Sequence, residues 1–243
     1  MSNAVHVLSA GSMRHAFPAI IGAFGHETGI AVGLTLGPAG LLRERIEEGA
    51  RFDLFVSANM AHPRRLAAEG LTEAAICFAR NRLCVLSRAD LGLTTENFLA
   101  VLSDADVRIG TSTPGDDPGG DYAFEVFDLI EVRYPEKGAA MKSRARQLVG
   151  GRNSPPTPAG KGAGYLITDG EVDLMMSYSS NAHLLAADPA FAVVDIPDEF
   201  QPRIEYGVAI RRDADVETRL LQEFLLSARG QEILSEAGFS PIG

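Results

Sequence analysis

Short apolar runs alternate along this chain with longer amphipathic stretches, and glycine, proline or serine stands at most of the junctions. That alternation points to an α/β fold with largely parallel sheets, because parallel strands need a helical crossover between them. Residues 5–8 read as the first strand. A helix with Ser12 as its N-cap is expected to about residue 26, with Ala16, Ile20, Ile21 and Phe24 on one face and Gly29 at its end. A strand at 30–34, a helix over 38–48 with proline in its first turn, and a strand at 53–57 complete two βαβ units. Farther on, strands are expected at 75–78, 83–87, 107–110, 172–177, 191–196 and 203–211. Helices are expected at 64–69, 96–102, from 120, over 138–149 as a basic helix, and at 161–168, 181–187, 214–227 and 229–237.

Four of the junctions put small residues directly ahead of a helical pattern: Ala10-Gly11-Ser12, Gly37-Pro38-Ala39-Gly40, Asp117-Pro118-Gly119-Gly120 and Pro158-Ala159-Gly160-Lys161. A helix start has unpaired N–H groups and the positive end of the macrodipole, and small residues let a ligand reach them. Each has a plain structural reading too, as a cap or a turn glycine. Their recurrence favours an anion. Arg14 and Lys161 lie within two residues of a proposed donor and would add charge-assisted bonds. Such an anion has to be held locally, since the formal net charge of −10 argues against a nucleic-acid surface or an anionic membrane.

At 243 residues and 46% hydrophobic content, the chain can build two lobes of ordinary domain size or one large α/β domain, with a proper core. No run approaches the roughly 20 apolar residues of a spanning helix. Ser2-Asn3-Ala4 resembles an expression scar, which implies that a targeting segment was cut away. Cys77 and Cys84 match no metal motif. On one extended strand they would be about 23 Å apart at ~3.3 Å per residue, beyond disulfide reach. A tight turn at Arg80-Asn81 would oppose them, but that pair is a poor hairpin signal, so two free, mostly buried thiols are expected. The histidines at 6, 26, 62 and 183 have no ligand spacing, and neither a Walker loop nor a dinucleotide fingerprint is present. Ser12 and His15 lack a nucleophile elbow. No catalytic residue, metal or cofactor is expected. Lys142, Arg144 and Arg146 read as an exposed helix face, with a partner-docking patch as the alternative.

Leu8-Ser9-Ala10-Gly11-Ser12, the stretch 42–50, Phe52-Asp53-Leu54-Phe55-Val56-Ser57-Ala58 and Phe78-Ala79-Arg80-Asn81 together resemble the periplasmic molybdate-binding proteins of ABC importers. Asp117-Pro118-Gly119-Gly120-Asp121-Tyr122-Ala123 is similar to that family's helix start, and Val172-Asp173-Leu174 with Ser177-Tyr178-Ser179 to its strand bearing a ligand tyrosine. The resemblance implies a two-lobed class II periplasmic binding protein fold of the α/β class. Each lobe is a mostly parallel sheet flanked by helices, and crossover strands join the two. Lobe one would hold 1–82 and 204–243, lobe two 85–202, with the crossovers near 78–86 and 203–210.

The family binds its oxyanion in the interlobe cleft through serine hydroxyls, backbone N–H groups and a tyrosine hydroxyl. Carried over, Ser12 matches the first serine and Tyr178 the tyrosine, while Gly119 and Gly160 fall at backbone donors. The second serine's loop here reads Gly37-Pro38-Ala39-Gly40, leaving the N–H groups of Ala39 and Gly40. Gly11, Arg14, Ser112, Thr113 and Lys161 stand nearby, and Asp116 and Asp117 would repel a dianion if they pointed inward. The implied protein is a monomeric periplasmic or extracellular solute-binding protein that passes molybdate or tungstate to an ABC permease in the membrane. The lost serine leaves a larger anionic organic ligand as an alternative, with an enzyme or sensor domain on the same fold behind it.

Overall fold

The computed structural model describes residues 4–156, 158, 162 and 164–242. Contacts divide the chain into two compact units, Met1–Asn81 with Ile204–Gly243, and Arg82–Arg203. In the first unit lie β1 (Val5–Ala10), α1 (Phe17–Thr28), β2 (Val32–Gly37), α2 (Ala39–Glu47), β3 (Leu54–Ser57), α3 (Ala61–Ala68) and β4 (Ile76–Asn81). In the second are β5 (Leu83–Arg88), α4 (Phe98–Ser103), β6 (Ile109–Ser112), α5 (Pro118–Arg133), α6 (Lys137–Arg144), β7 (Arg146–Val149), α7 (Tyr165–Thr168), β8 (Leu174–Tyr178), α8 (Ser179–Ala182) and β9 (Phe191–Asp195). The chain returns to the first unit as β10 (Ile204–Ile210), α9 (Val216–Leu226) and α10 (Ala228–Glu236).

Each unit is built on a five-stranded sheet, in the orders β2-β1-β3-β10-β4 and β7-β6-β8-β5-β9. In the first, β1 runs parallel to β2 and β3, and β10 runs antiparallel to β3 and β4. In the second, β6 is parallel to β7 and β8, and β5 is antiparallel to β8 and β9. The reversed strand in each sheet is therefore the one that follows directly on a passage of the chain from the other unit. Burial explains the composition of the central strands: Leu54, Phe55 and Val56 on β3 and Val85 and Leu86 on β5 are at most 1% exposed, as in strands covered on both faces. Around the first sheet, Phe24 of α1 meets Phe224 of α9 edge to face at 5.7 Å. In the second unit Phe98 of α4 stacks on Phe200 at 6.2 Å.

Several elements depart from the sequence reading. Ser12 is not an N-cap: residues Gly11–Met13 form a single 3-10 turn with no side-chain cap bond, and α1 starts only at Phe17, where Pro18 suits the first turn. The basic helix expected over 138–149 ends at Arg144, and Arg146–Val149 pairs in parallel with β6 as an edge strand. Two contacts enforce the change. Arg144 donates to the carbonyls of Val107 and Leu102, pinning the helix end, and Leu148 and Val149 pack on the cluster of Leu86, Leu166, Ile167, Val172 and Met175. The set Lys142, Arg144 and Arg146 is accordingly no open basic face, since Lys142 pairs with Asp128 and Arg146 with Glu171. The helix expected over 161–168 is described from Tyr165 to Thr168, and Gly160 and Lys161 lie outside the described residues. Neither Cys77 nor Cys84 is in a disulfide; Cys77 is half-buried on β4 and Cys84 buried on β5, in different sheets.

Candidate functional site

In the first unit the parallel strands β1 and β2 end side by side, with Ala10 paired to Gly37. The chain leaving β1 forms the Gly11–Met13 turn, and the chain leaving β2 enters α2 through Pro38, whose φ of −60° presents Ala39 as the first helical residue. The two loops touch: a Cβ on Gly11 would stand 3.8 Å from the Gly37 carbonyl oxygen. Ser12, Ala39 and Gly40 are thus brought to one edge, at the carboxyl ends of parallel strands, where open α/β sheets bind ligands. No side chain caps α2, so the first-turn N–H groups of Ala39 and Gly40 are left for another acceptor. Arg14 folds back over this edge, its Nε donating to the Gly11 carbonyl at 2.9 Å. The Ser12 hydroxyl is engaged by Tyr206, whose Oη donates to Ser12 Oγ at 2.8 Å.

In the second unit β6 and β8 are parallel neighbours and again end together. Pro118 opens α5 and has no N–H to lose; the next residue, Gly119, faces the end of β8. A Cβ on Gly119 would meet Tyr178 Cε2 at 3.4 Å, which sets the ring of the expected tyrosine beside the expected backbone donor. Tyr178, the last residue of β8, is 7% exposed and is braced by Tyr122 of α5, edge to face at 6.5 Å. Gly120 is fixed by packing: a Cβ there would lie 2.4 Å from Pro114 N and 2.7 Å from Ser112 O. Only glycine lets α5 start so close to that loop.

The other described candidates in this unit, Ser112 and Thr113, also hold loops together. Ser112 Oγ donates to a carboxylate oxygen of Asp117, and Thr113 Oγ1 donates to the Val149 carbonyl at 3.0 Å. Asp116 accepts the Arg152 N–H at 2.8 Å. Gly150, at φ +73°, closes on this knot, with its Cβ position 2.3 Å from Ser112 Oγ and 2.7 Å from Asp117 Oδ2. The carboxylates flagged as a threat to a dianion are therefore occupied by local donors. Desolvation raises the pKa of Asp121, one turn into α5, while the Gly115 N–H donates to it at 2.8 Å and opposes that rise.

Three structural features beside the candidate residues escaped the sequence reading. Tyr206 lies 194 residues from Ser12, and no local pattern links the two. Gly150 and Gly151 fell inside a stretch read only as a loop, although a Cβ on Gly151 would stand 2.5 Å from Thr113 Oγ1. Among the described residues no group of histidine, cysteine, aspartate or glutamate could hold a metal ion, and no helix is long and apolar enough to cross a membrane.

A family model described as bacterial extracellular solute-binding protein matches residues 5–240. An uncharacterized protein of Pasteurella multocida (strain Pm70) is 37% identical over 240 residues, which cover 98% of each chain. Among solved structures, the Azotobacter vinelandii periplasmic molybdate-binding protein superposes with a TM-score of 0.78 at 22% identity, over 98% of this chain and 100% of that one. The periplasmic binding protein AfuA of Actinobacillus pleuropneumoniae, with fructose-6-phosphate bound, gives a TM-score of 0.72 at 16% identity, over 98% and 83%. These likenesses show the fold, that of the class II periplasmic binding proteins.

Proposed function

Because this chain belongs to the bacterial extracellular solute-binding proteins, we propose that it captures a small tetrahedral oxyanion, molybdate or tungstate foremost, and delivers it to the permease of an ABC importer. The observation that carries the reading is the matched chemistry of the two units. In each, a hydroxyl-bearing side chain stands beside a helix start: Ser12 with Ala39 and Gly40, and Tyr178 with Gly119. We assign both sets of donors to one anion. Neutral donors of this kind hold a dianion by hydrogen bonds and helix dipoles, and the number and spacing of donors select among ions of equal charge. The bound form then presents the permease with a state that the empty protein populates little. A periplasmic or extracellular location and action as a monomer belong to the same proposal, as does the assignment of Gly160.

One observation favours a second ligand class. Ala39 supplies no hydroxyl where the molybdate-binding proteins have a serine, so the first unit offers one hydroxyl donor fewer to a small oxyanion. A larger anionic organic ligand, reaching fewer donors in each unit, is the runner-up. Titration calorimetry with molybdate, tungstate, sulfate and phosphate tests the leading reading. One-to-one binding of molybdate or tungstate, tighter than of sulfate, is expected. No heat from any of the four sinks it, and heat from sugar phosphates alone moves the assignment to the second class.

A further inference from the structure

Tyr206 belongs to no loop of the proposed site, yet its side chain reaches the site's serine. It sits on β10 and is 0% exposed. The ring is held on two sides, edge to face with Phe78 at 6.3 Å and with Phe239 at 5.2 Å. The register between β10 and β4 slips between Tyr206 and Gly207, so that Tyr206 pairs with Ala79 and Gly207 with Cys77. Such a bulge re-aims the side chains beside it. Gly207 itself is fixed by packing against the start of α3: a Cβ there would stand 2.6 Å from Pro63 Cγ and 2.9 Å from Met60 Sδ.

Hydrogen counting gives the phenol its role. The Asn81 side-chain amide donates to Tyr206 Oη at 3.4 Å, and Tyr206 Oη lies 2.8 Å from Ser12 Oγ. A phenol carries one proton and is a stronger donor than an aliphatic hydroxyl, so the tyrosine donates and the serine accepts. With one lone pair of Ser12 Oγ occupied from the β10 side, its single proton is directed elsewhere. Among the described residues no acceptor for that proton is recorded, and the adjoining groups of α2 are N–H donors.

We propose that Tyr206 is the positioning residue of the anion site, fixing the Ser12 hydroxyl as a donor to the ligand, with Asn81 holding the phenol in turn. This rests on Ser12 being a ligand residue, as proposed above. A ring with two edge-on neighbours has little freedom to turn, so the serine keeps its orientation in the empty protein. The ligand is then spared the cost of ordering it.

The test is a double-mutant cycle of Ser12→Ala and Tyr206→Phe, read by titration calorimetry with molybdate and, as a second probe, tungstate. Phenylalanine keeps the ring and its aromatic contacts, and circular dichroism checks the fold. Tyr206→Phe is expected to weaken binding about 3- to 10-fold and Ser12→Ala about 10- to 100-fold. In the Ser12→Ala background, Tyr206→Phe should have no further effect, a non-additivity that a merely structural tyrosine would not produce. Asn81→Ala approaches the same oxygen from the other side and is expected to weaken binding about twofold with Ser12 present and not without it. Equal affinity of Tyr206→Phe and the wild type, or additive losses in the double variant, overturns the inference while leaving the oxyanion reading intact. Failure of the wild type to bind any anion overturns that reading, and this inference with it.

Discussion

Adjacent glycines at the start of α5 should respond in opposite ways to the same added methyl group. At Gly120 an alanine Cβ would lie 2.4 Å from Pro114 N, 2.5 Å from Thr113 C and 2.7 Å from Ser112 O, all of them backbone atoms or bonded to backbone. Restoring ordinary contact moves the loop or the helix by up to about 1 Å, an overpacking cost of roughly 1–3 kcal/mol. The higher helix propensity of alanine returns about 1 kcal/mol of that. At ~2–4 °C per kcal/mol for a chain of this size, Gly120→Ala should melt up to about 8 °C below the wild type. At Gly119 the same methyl would meet Asp117 Oδ2 and Tyr178 Cε2 at 3.4 Å and Ser112 Cβ at 3.5 Å, which is ordinary contact. Gly119→Ala should therefore melt at the wild-type temperature or up to about 4 °C above it. The methyl would stand between the helix start and Tyr178, so oxyanion affinity should fall about 10- to 100-fold. Thermal unfolding by circular dichroism and titration calorimetry read the two effects separately. Equal melting of the two variants would refute the packing argument, and a Gly119→Ala protein that binds like the wild type would remove Gly119 from the site.

Three further outcomes follow from other parts of the molecule. Burial and the nearby guanidinium groups of Arg43 and Arg65 lower the pKa of His62 to about 4, so the folded protein resists the proton that the unfolded chain takes up at its ordinary value of about 6.5. The unfolded state thus binds more protons between those values. Stability present above pH ~6.5 should fall by up to about 3 kcal/mol as the pH drops to 4, and His62→Gln should flatten that limb in urea titrations. Desolvation pushes the Cys84 thiol up to about 12, so at pH 8 iodoacetamide should leave Cys84 unmodified in the native protein while labelling both thiols in urea; native labelling of Cys84 would contradict its burial. Tyr178→Phe should leave the melting temperature within about 2 °C while weakening oxyanion binding roughly 10-fold or more in calorimetry; an unchanged affinity would remove its hydroxyl from the site.

The architecture was legible because it depends on periodicities that act locally. Alternating apolar runs marked the buried strands β3, β5 and β8, and Gly29, at φ +71°, ended α1 where a left-handed cap was expected. The parallel ends of β1 with β2 and of β6 with β8 follow from the same alternation, and with them the edges where Ser12, Ala39, Gly40, Gly119 and Tyr178 stand. What the pattern missed is set by distant partners. Ser12 looks like an N-cap in its own neighbourhood, yet a tyrosine from the last strand takes its oxygen. The residues beyond Arg144 look like one more helical turn, until the free edge of β6 recruits them as a strand. Ser112, Thr113 and Asp116 have the composition of an anion loop, and the carbonyl of Val149 and the N–H of Arg152, 36 or 37 residues away, engage their side chains. Register and long-range hydrogen bonds of this kind leave no trace in a window of ten or twenty residues.

The proposed function turns on Ser12, Gly119 and Tyr178 holding one and the same oxyanion. A crystal structure of the protein with tungstate, phased and located by the anomalous signal of tungsten, measures this directly. The account predicts a single strong peak whose oxygen atoms lie about 2.7–3.2 Å from Ser12 Oγ, the Gly119 N–H nitrogen and Tyr178 Oη. A tungstate bound to only one of the two units, or seated away from all three residues, would contradict it.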